Sequence, residues 1–225
     1  MTVNDKILAK YYEVISESKQ EMFDRIASDR TNFLTVVMEN TMKDHNASAV
    51  LRTCDCFGIQ QLHALEKGVK YEIQREIARG AGNWVDLKTF HGEDPVKNCF
   101  TELKSKGYRI ITTSPHAEKS IHEIDISTPM ALVFGTERDG VSEEAIEYSD
   151  ELVSIPMYGF TESFNVSVSA AVILNVLRHR LSNENFNWKL NHDERTAVKI
   201  NWCEKIVKEG PLVTKEFERR ILEKE

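Results

Sequence analysis

The stretch "IPMYGFTESFNVSVSAAVIL" spans residues 155–174, and its reading decides the fold. It opens as a loop, because Pro156 fixes its own backbone and Gly159 tolerates conformations closed to other residues. It then becomes a helix, from about Asn165 to Leu181. The residues that lead into that helix and fill its first turns are small or hydroxylated: Ser163, Ser167, Ser169, Ala170 and Ala171. A helix serving only a core carries large aliphatics on its inner face. Two readings suit such a start. One is an ordinary N-cap followed by a small-residue packing face; the other is a helix that begins at a binding site.

Working outward, short β-rich runs alternate with helical segments. "FLTVVM" (33–38), "GIQQLHAL" (58–65), "WVDLKTF" (84–90), "YRIITTS" (108–114), "MALVFG" (130–135) and "ELVSIP" (151–156) read as strands. Between them, residues 46–57 form a helix with Ala47, Val50, Leu51 and Cys54 inside. Residues 95–106 form another, opened by Pro95 and closed by Gly107. Ser142 caps a short acidic helix reaching about Ser149. Such alternation predicts an α/β fold with a mostly parallel sheet covered on both faces. Residues 5–28 repeat apolar positions with a helical period. After Asn183 the chain turns polar, "GP" at 210–211 breaks it again, and "TKEFERRILEK" forms a terminal helix. The expected organisation is an N-terminal helical extension (1–28), a main domain (29–182) and a C-terminal helical extension (183–225).

Composition narrows the class. The 225 residues are 41% hydrophobic and 29% charged, which fits a soluble globular chain with a sizeable core. No apolar run approaches the length that crosses a bilayer, and the N-terminal stretch carries charges throughout, unlike a signal peptide. The four cysteines (Cys54, Cys56, Cys99, Cys203) show no paired framework, and "CDC" lacks zinc-ligand spacing. A reducing cytoplasm is expected, with no metal and no membrane. HExxH, GxSxG and paired-carboxylate arrangements are absent, and "ARGAGN" (78–83) is a weak echo of a phosphate loop without its strand context. A net charge of −7 argues mildly against nucleic acid, although the placement of charge matters more than its sum.

Loops at strand C-termini form the binding crevice of an open parallel sheet. Three segments fall there. In "HNASAVLRTCDCFG" (45–58), Asn46 suits a helix cap and Arg52 follows six residues on; the plain alternative is a cap plus a surface arginine. In "LVFGTERDGVSEE" (132–144), an apolar strand ends in Gly135, then Glu137, then Gly140; the plain alternative is a tight turn with a solvated glutamate. The third is the stretch quoted first.

In this order and at these distances the three segments resemble the three motifs of the SPOUT superfamily, in its SpoU/TrmH branch. "NASAVLRTCDCFG" is similar to motif one, "LVFGTERDGVSEEA" to motif two, and residues 155–174 to motif three. "DRTNFLTVVMENTMKDHNASAVLRTCDCFG" (29–58) resembles in particular the opening of the tRNA guanosine-18 2'-O-methyltransferases. The resemblance implies an α/β-knot fold, a Rossmann-like parallel sheet whose C-terminal part, about 132–175, forms a deep trefoil knot. It implies S-adenosyl-L-methionine as cofactor, tRNA as partner, methylation of a ribose 2'-hydroxyl on a D-loop guanosine, and a homodimer with the site near the interface. Position by position, it implies Asn46, Arg52, Glu137, Ser163 and Asn165 as catalytic residues. Thr113, Ser114, Gly135, Ile155, Met157, Gly159 and Phe164 would hold the cofactor. Where the family usually has Leu, this chain has Phe164, an apolar change that keeps an adenine-packing role.

A 2'-hydroxyl becomes a nucleophile as its proton leaves. Arg52 would either take that proton transiently in a dry site, or stay charged, clamp a phosphate and polarise the hydroxyl. Arg30, Arg52, Arg178 and Arg180 are the expected RNA contacts. Lys10, Lys19, Arg25, Lys67, Lys70, Arg75, Arg79, Lys189, Arg195 and Lys199 are further basic candidates, each equally a solvated helix face. Alternatives are methylation of another tRNA position or of ribosomal RNA, a catalytically silent RNA-binding relative, and a general nucleotide-binding module without methyl transfer.

Overall fold

The computed structural model describes residues 1–39, 44–66, 74–136 and 139–223, and only the backbone of Asp44 and Arg75. The chain divides into two compact units: Met1–Thr31 with Lys189–Glu225, and Asn32–Trp188. Residues 29–31 thus group with the termini and 183–188 with the sheet, and the two terminal segments form one unit rather than separate extensions.

The larger unit is built on six parallel strands: β1 (Leu34–Glu39), β2 (Gln61–Glu66), β3 (Asp86–His91), β4 (Arg109–Thr113), β5 (Met130–Phe134) and β6 (Glu151–Val153). Their order in the sheet is β3-β2-β1-β5-β4-β6. The pairing is parallel throughout, with Val36 beside Leu62 on one flank and Leu132 on the other. Alternation along β1 sends Leu34, Val36 and Met38 to one core and Val37 to the other. α3 (Asp44–Cys56) and α7 (Val166–Ser182) cover the first face. α5 (Pro95–Ser105) and α6 (Glu143–Glu147) cover the second. The buried positions of α7 are Val166, Ala170, Ile173, Leu174, Leu177 and Leu181, the stripe expected of a helix on a sheet.

Capping is as the sequence suggests at two places. The Ser142 hydroxyl accepts from the Ala145 N–H, and the Asn165 side chain accepts from the Ser167 N–H. Asn46 differs: α3 starts at Asp44, so Asn46 lies inside the first turn and its side chain faces elsewhere. Two short elements have too few residues to show a period: α4 (Arg75–Ala78) and a single 3-10 turn at Ala81–Asn83.

The terminal unit holds α1 (Val3–Tyr12), α2 (Glu17–Ala27), α8 (His192–Ile206) and α9 (Gly210–Leu222). Capping boxes at Thr2 and Asn191 start α1 and α8. Its core includes Tyr11, Phe23, Trp202 and Cys203. The Gly210–Pro211 pair opens α9 rather than separating it, because proline is at home in a first helical turn. Gly210 is required there, since a Cβ would stand 2.3 Å from the Glu204 carbonyl oxygen.

Candidate active site

Three loops meet beyond the C-terminal ends of β4, β5 and β6. The loop after β5 is a tight turn. The Thr136 N–H donates to the Gly140 carbonyl at 2.9 Å and the Gly140 N–H returns to Thr136 at 3.1 Å. The Thr136 hydroxyl accepts from the Asp139 N–H at 3.0 Å. Gly140 sits at φ 69°, and a Cβ on Gly135 would lie 2.0 Å from the Gly140 oxygen. Both glycines are therefore dictated by the turn. Glu39, only 2% exposed at the end of β1, supports the turn from behind by accepting from the Ser142 N–H at 2.9 Å. Nothing in the sequence marks that glutamate, which closes an apolar strand. In the loop after β4, the Thr113 hydroxyl donates to the Val133 carbonyl at 2.9 Å and the Ser114 N–H to that of Val153 at 2.9 Å. The third loop runs from Ile155 to the Asn165 cap of α7.

These loops enclose a cavity of about 390 Å³. Of the expected cofactor residues, Thr113, Ser114, Gly135, Ile155, Met157 and Phe164 line it, and Ser163 joins them. Gly159 does not line it. Phe134, Val166 and Ile173 extend the apolar wall, and Glu162 and Asp139 bring two carboxylates to it. Phe134 and Ile173 are legible in the sequence only as core positions. Glu162 and Asp139 lie inside the quoted motifs without drawing notice, because acidic loop residues are usually solvated.

None of Asn46, Arg52 and Asn165 lines the cavity, although Asn165 directly follows its wall residue Phe164. The Asn165 Oδ1 accepts from both the Ser167 N–H at 2.9 Å and the Ser167 hydroxyl at 2.6 Å. With the oxygen so committed, its Nδ2 is turned to Asn46 and donates to Oδ1 at 3.2 Å. The first turn of α3 and the start of α7 are thus joined side chain to side chain, and Asn46 is 8% exposed. Arg52 is exposed on α3, and among the described residues no hydrogen bond or ion pair holds its guanidinium. Glu137 lies outside the described residues, as do Lys67 and Lys70.

The other arginines depart from expectation. Arg30 is 2% exposed, with its guanidinium 5.4 Å from the Trp202 ring centroid. It belongs to the core of the terminal unit, where burial leaves it little surface to offer RNA. Half-buried Arg178 donates to the Phe57 carbonyl at 3.2 Å and stacks 3.9 Å over Trp188. Half-buried Arg180 donates to the carbonyls of Ile121 at 3.2 Å and Ile124 at 2.7 Å. Both are tied into the fold, so neither reaches out as a freely extended contact. Lys10, Lys189 and Lys199 pair with Glu13, Asp29 and Asp24. Among the described residues no cluster of His, Cys, Asp and Glu is arranged for a metal, and no helix is long and apolar enough to cross a membrane.

The family model described as the SpoU rRNA Methylase family matches residues 33–175. The tRNA (guanosine(18)-2'-O)-methyltransferase of Borreliella burgdorferi is 32% identical over 203 residues, 90% of this chain and 90% of that one. A protein of the same description from Thermus thermophilus is 36% identical over 160 residues, 71% of this chain and 81% of its own. The crystal structure of the A. aeolicus TrmH/SpoU tRNA modifying enzyme superposes with a TM-score of 0.76 at 29% identity, covering 85% of this chain and 98% of that one.

Proposed function

The chain belongs to the SpoU methylase family, and we propose that it is an S-adenosyl-L-methionine-dependent tRNA (guanosine(18)-2'-O)-methyltransferase. The observation that carries this reading is the cavity at the ends of β4, β5 and β6, with the pair of joined asparagines that ties α3 to the start of α7 directly after the wall residue Phe164. Its volume of about 390 Å³ suits a nucleoside-sized ligand. The residues fit the cofactor. Phe134, Ile155, Met157 and Phe164 offer apolar surface to a purine, and Gly135 joins them in the wall. Glu162 and Asp139 favour a cationic tail. When bound, S-adenosylmethionine supplies a methyl group on a sulfonium.

The chain's own residues bind and orient the ribose. Arg52, a fork of donors without a competing partner among the described residues, clamps the phosphate beside the reacting ribose and draws the 2'-hydroxyl into place. Asn46 and Asn165 hold α3 and the third loop in register, so the hydroxyl meets the cavity mouth in one orientation. Ser163, on the wall beside Phe164, brings a hydroxyl group to the cavity. Glu137, by its place in motif two, orients the loop or Arg52.

The chain is further read as a cytoplasmic homodimer threaded as a trefoil knot over about 132–175. Supporting the threading, β6 joins the sheet outside β4 while α7 returns to pack beside α3. Four free cysteines suit a reducing compartment. Incubation with tritiated S-adenosylmethionine is expected to label unmodified tRNA. Label entering ribosomal RNA but no tRNA would overturn the substrate, and label on a base would overturn the reaction.

A further inference from the structure

In the sheet unit, two large apolar side chains stand almost wholly in solvent: Tyr158 at 97% and Phe160 at 109% exposed. No other described residue of that unit with a large apolar side chain exceeds the 43% of Val168. Aromatic rings are costly to leave in water, and an unexplained exposed pair marks a contact. Both sit on the loop after β6, flanking Gly159. On either side of them the same loop turns inward, through Met157 before and Glu162, Ser163 and Phe164 after, to wall the cavity. The rings therefore stand on the same loop that walls the cavity, turned out from it into solvent.

We propose that Tyr158 and Phe160 are stacking platforms for unpaired bases of the RNA substrate, next to the nucleotide whose ribose is methylated. This rests on the function proposed above and names how the site holds its substrate. Recognition of RNA loops proceeds by splaying bases onto aromatic faces, and every base offers such a face. The surroundings favour this occupant over a second copy of the chain. A subunit interface has an apolar core depleted of charge. Here the residues after the rings are exposed and, Phe164 apart, polar: Thr161, Glu162, Ser163 and Asn165 can each hydrogen-bond a base edge or a ribose, and Glu162 sets a charge beside the rings. Gly159 between the rings has open space where a side chain would stand, so nothing of the described fold crowds the faces of the pair there.

The test compares the double variant Tyr158→Ala/Phe160→Ala with the ring-preserving Tyr158→Phe/Phe160→Tyr. Three quantities are read: affinity for an unmodified tRNA transcript at fixed salt, KM for tRNA against KM for the cofactor, and native mass by light scattering. The alanine pair is expected to weaken tRNA binding and raise its KM by at least about tenfold. Cofactor KM and mass should stay unchanged, and the ring-preserving pair should remain within about twofold of the parent. Unchanged tRNA affinity in the alanine pair overturns the proposal, as does a drop in mass, which would assign the rings to a second copy. Methyl transfer by the unaltered protein tests the proposed function separately. Should that protein label ribosomal RNA instead, the same ratio between variants, measured on that RNA, still judges the rings.

Discussion

At the scale of single residues, the site turns on a few polar side chains whose roles separate by geometry. Arg52 is exposed and unheld among the described residues, so its removal should leave the fold intact. Arg52→Ala is expected to lower kcat by about 100-fold with an unchanged melting temperature, the usual cost of losing an aimed donor. Arg52→Lys separates the two roles for this residue. Lysine holds a phosphate as a point charge but loses a proton more readily. Strongly reduced turnover supports the clamp, whereas near-normal turnover with a lowered pH optimum contradicts it. Asn165→Asp is a second test. Aspartate still caps α7 by accepting from Ser167, yet it presents an oxygen, not a donor, to the Asn46 oxygen 3.2 Å away. Thermal stability should hold while kcat falls about tenfold through lost orientation; a melting temperature that drops in step with activity would make the pair merely structural. Asn46, Arg52, Ser163 and Asn165 are candidates through the resemblance of their segments to the family motifs, since residue by residue each has a plain alternative as a cap or a surface side chain. The sequence misplaces Arg30, because a guanidinium buried over Trp202 looks like any surface cation until the helices are assembled.

At the scale of elements, the turn after β5 is the least forgiving part of the site. A Cβ on Gly135 has no room, its blocking atoms being backbone of Gly140 and Val141. Gly135→Ala is expected to weaken binding of S-adenosylhomocysteine, followed by calorimetry, at least about tenfold, since the loop must move to admit the methyl group. Gly159→Ala, with nothing within 4 Å, should bind as the parent does. Equal affinity in both variants would mean that the turn does not shape the pocket. Strands and long helices are visible in the sequence because a hydrophobic period of two or 3.6 needs only local residues. Helix limits are less so. The Gly210–Pro211 pair reads as a break, yet it is a helix start, since a proline that cannot continue a helix can begin one.

At the scale of the whole molecule, strand order is what the sequence withholds. Alternating strands and helices imply a parallel sheet, but placing β5 beside β1 and β6 outside β4 depends on contacts between distant segments. Burial has the same character. His63, on β2, is 3% exposed, and its ring nitrogens have no hydrogen-bond partner. Burial, aided by Lys106 and Lys88 and opposed by Glu102, lowers its imidazole from 6.5 to about 4. Between those values the unfolded chain binds the proton that the folded one excludes. The stability contribution is therefore complete above about pH 6.5 and is lost as pH falls toward 4, to a total of about 3 kcal/mol. Denaturant melts of the parent and of His63→Leu across this range should differ in slope, with the leucine variant flatter; parallel curves would contradict a buried neutral imidazole. The proposed reaction is methyl transfer to the 2'-oxygen of one guanosine in the tRNA D-loop. Its most direct test is to label unmodified tRNA with tritiated S-adenosylmethionine, hydrolyse it with alkali and map the label. The predicted result is label in an alkali-resistant dinucleotide that begins with a D-loop guanosine, and its disappearance with Arg52→Ala. Label recovered only in mononucleotides, or in another region of the tRNA, would contradict the claim.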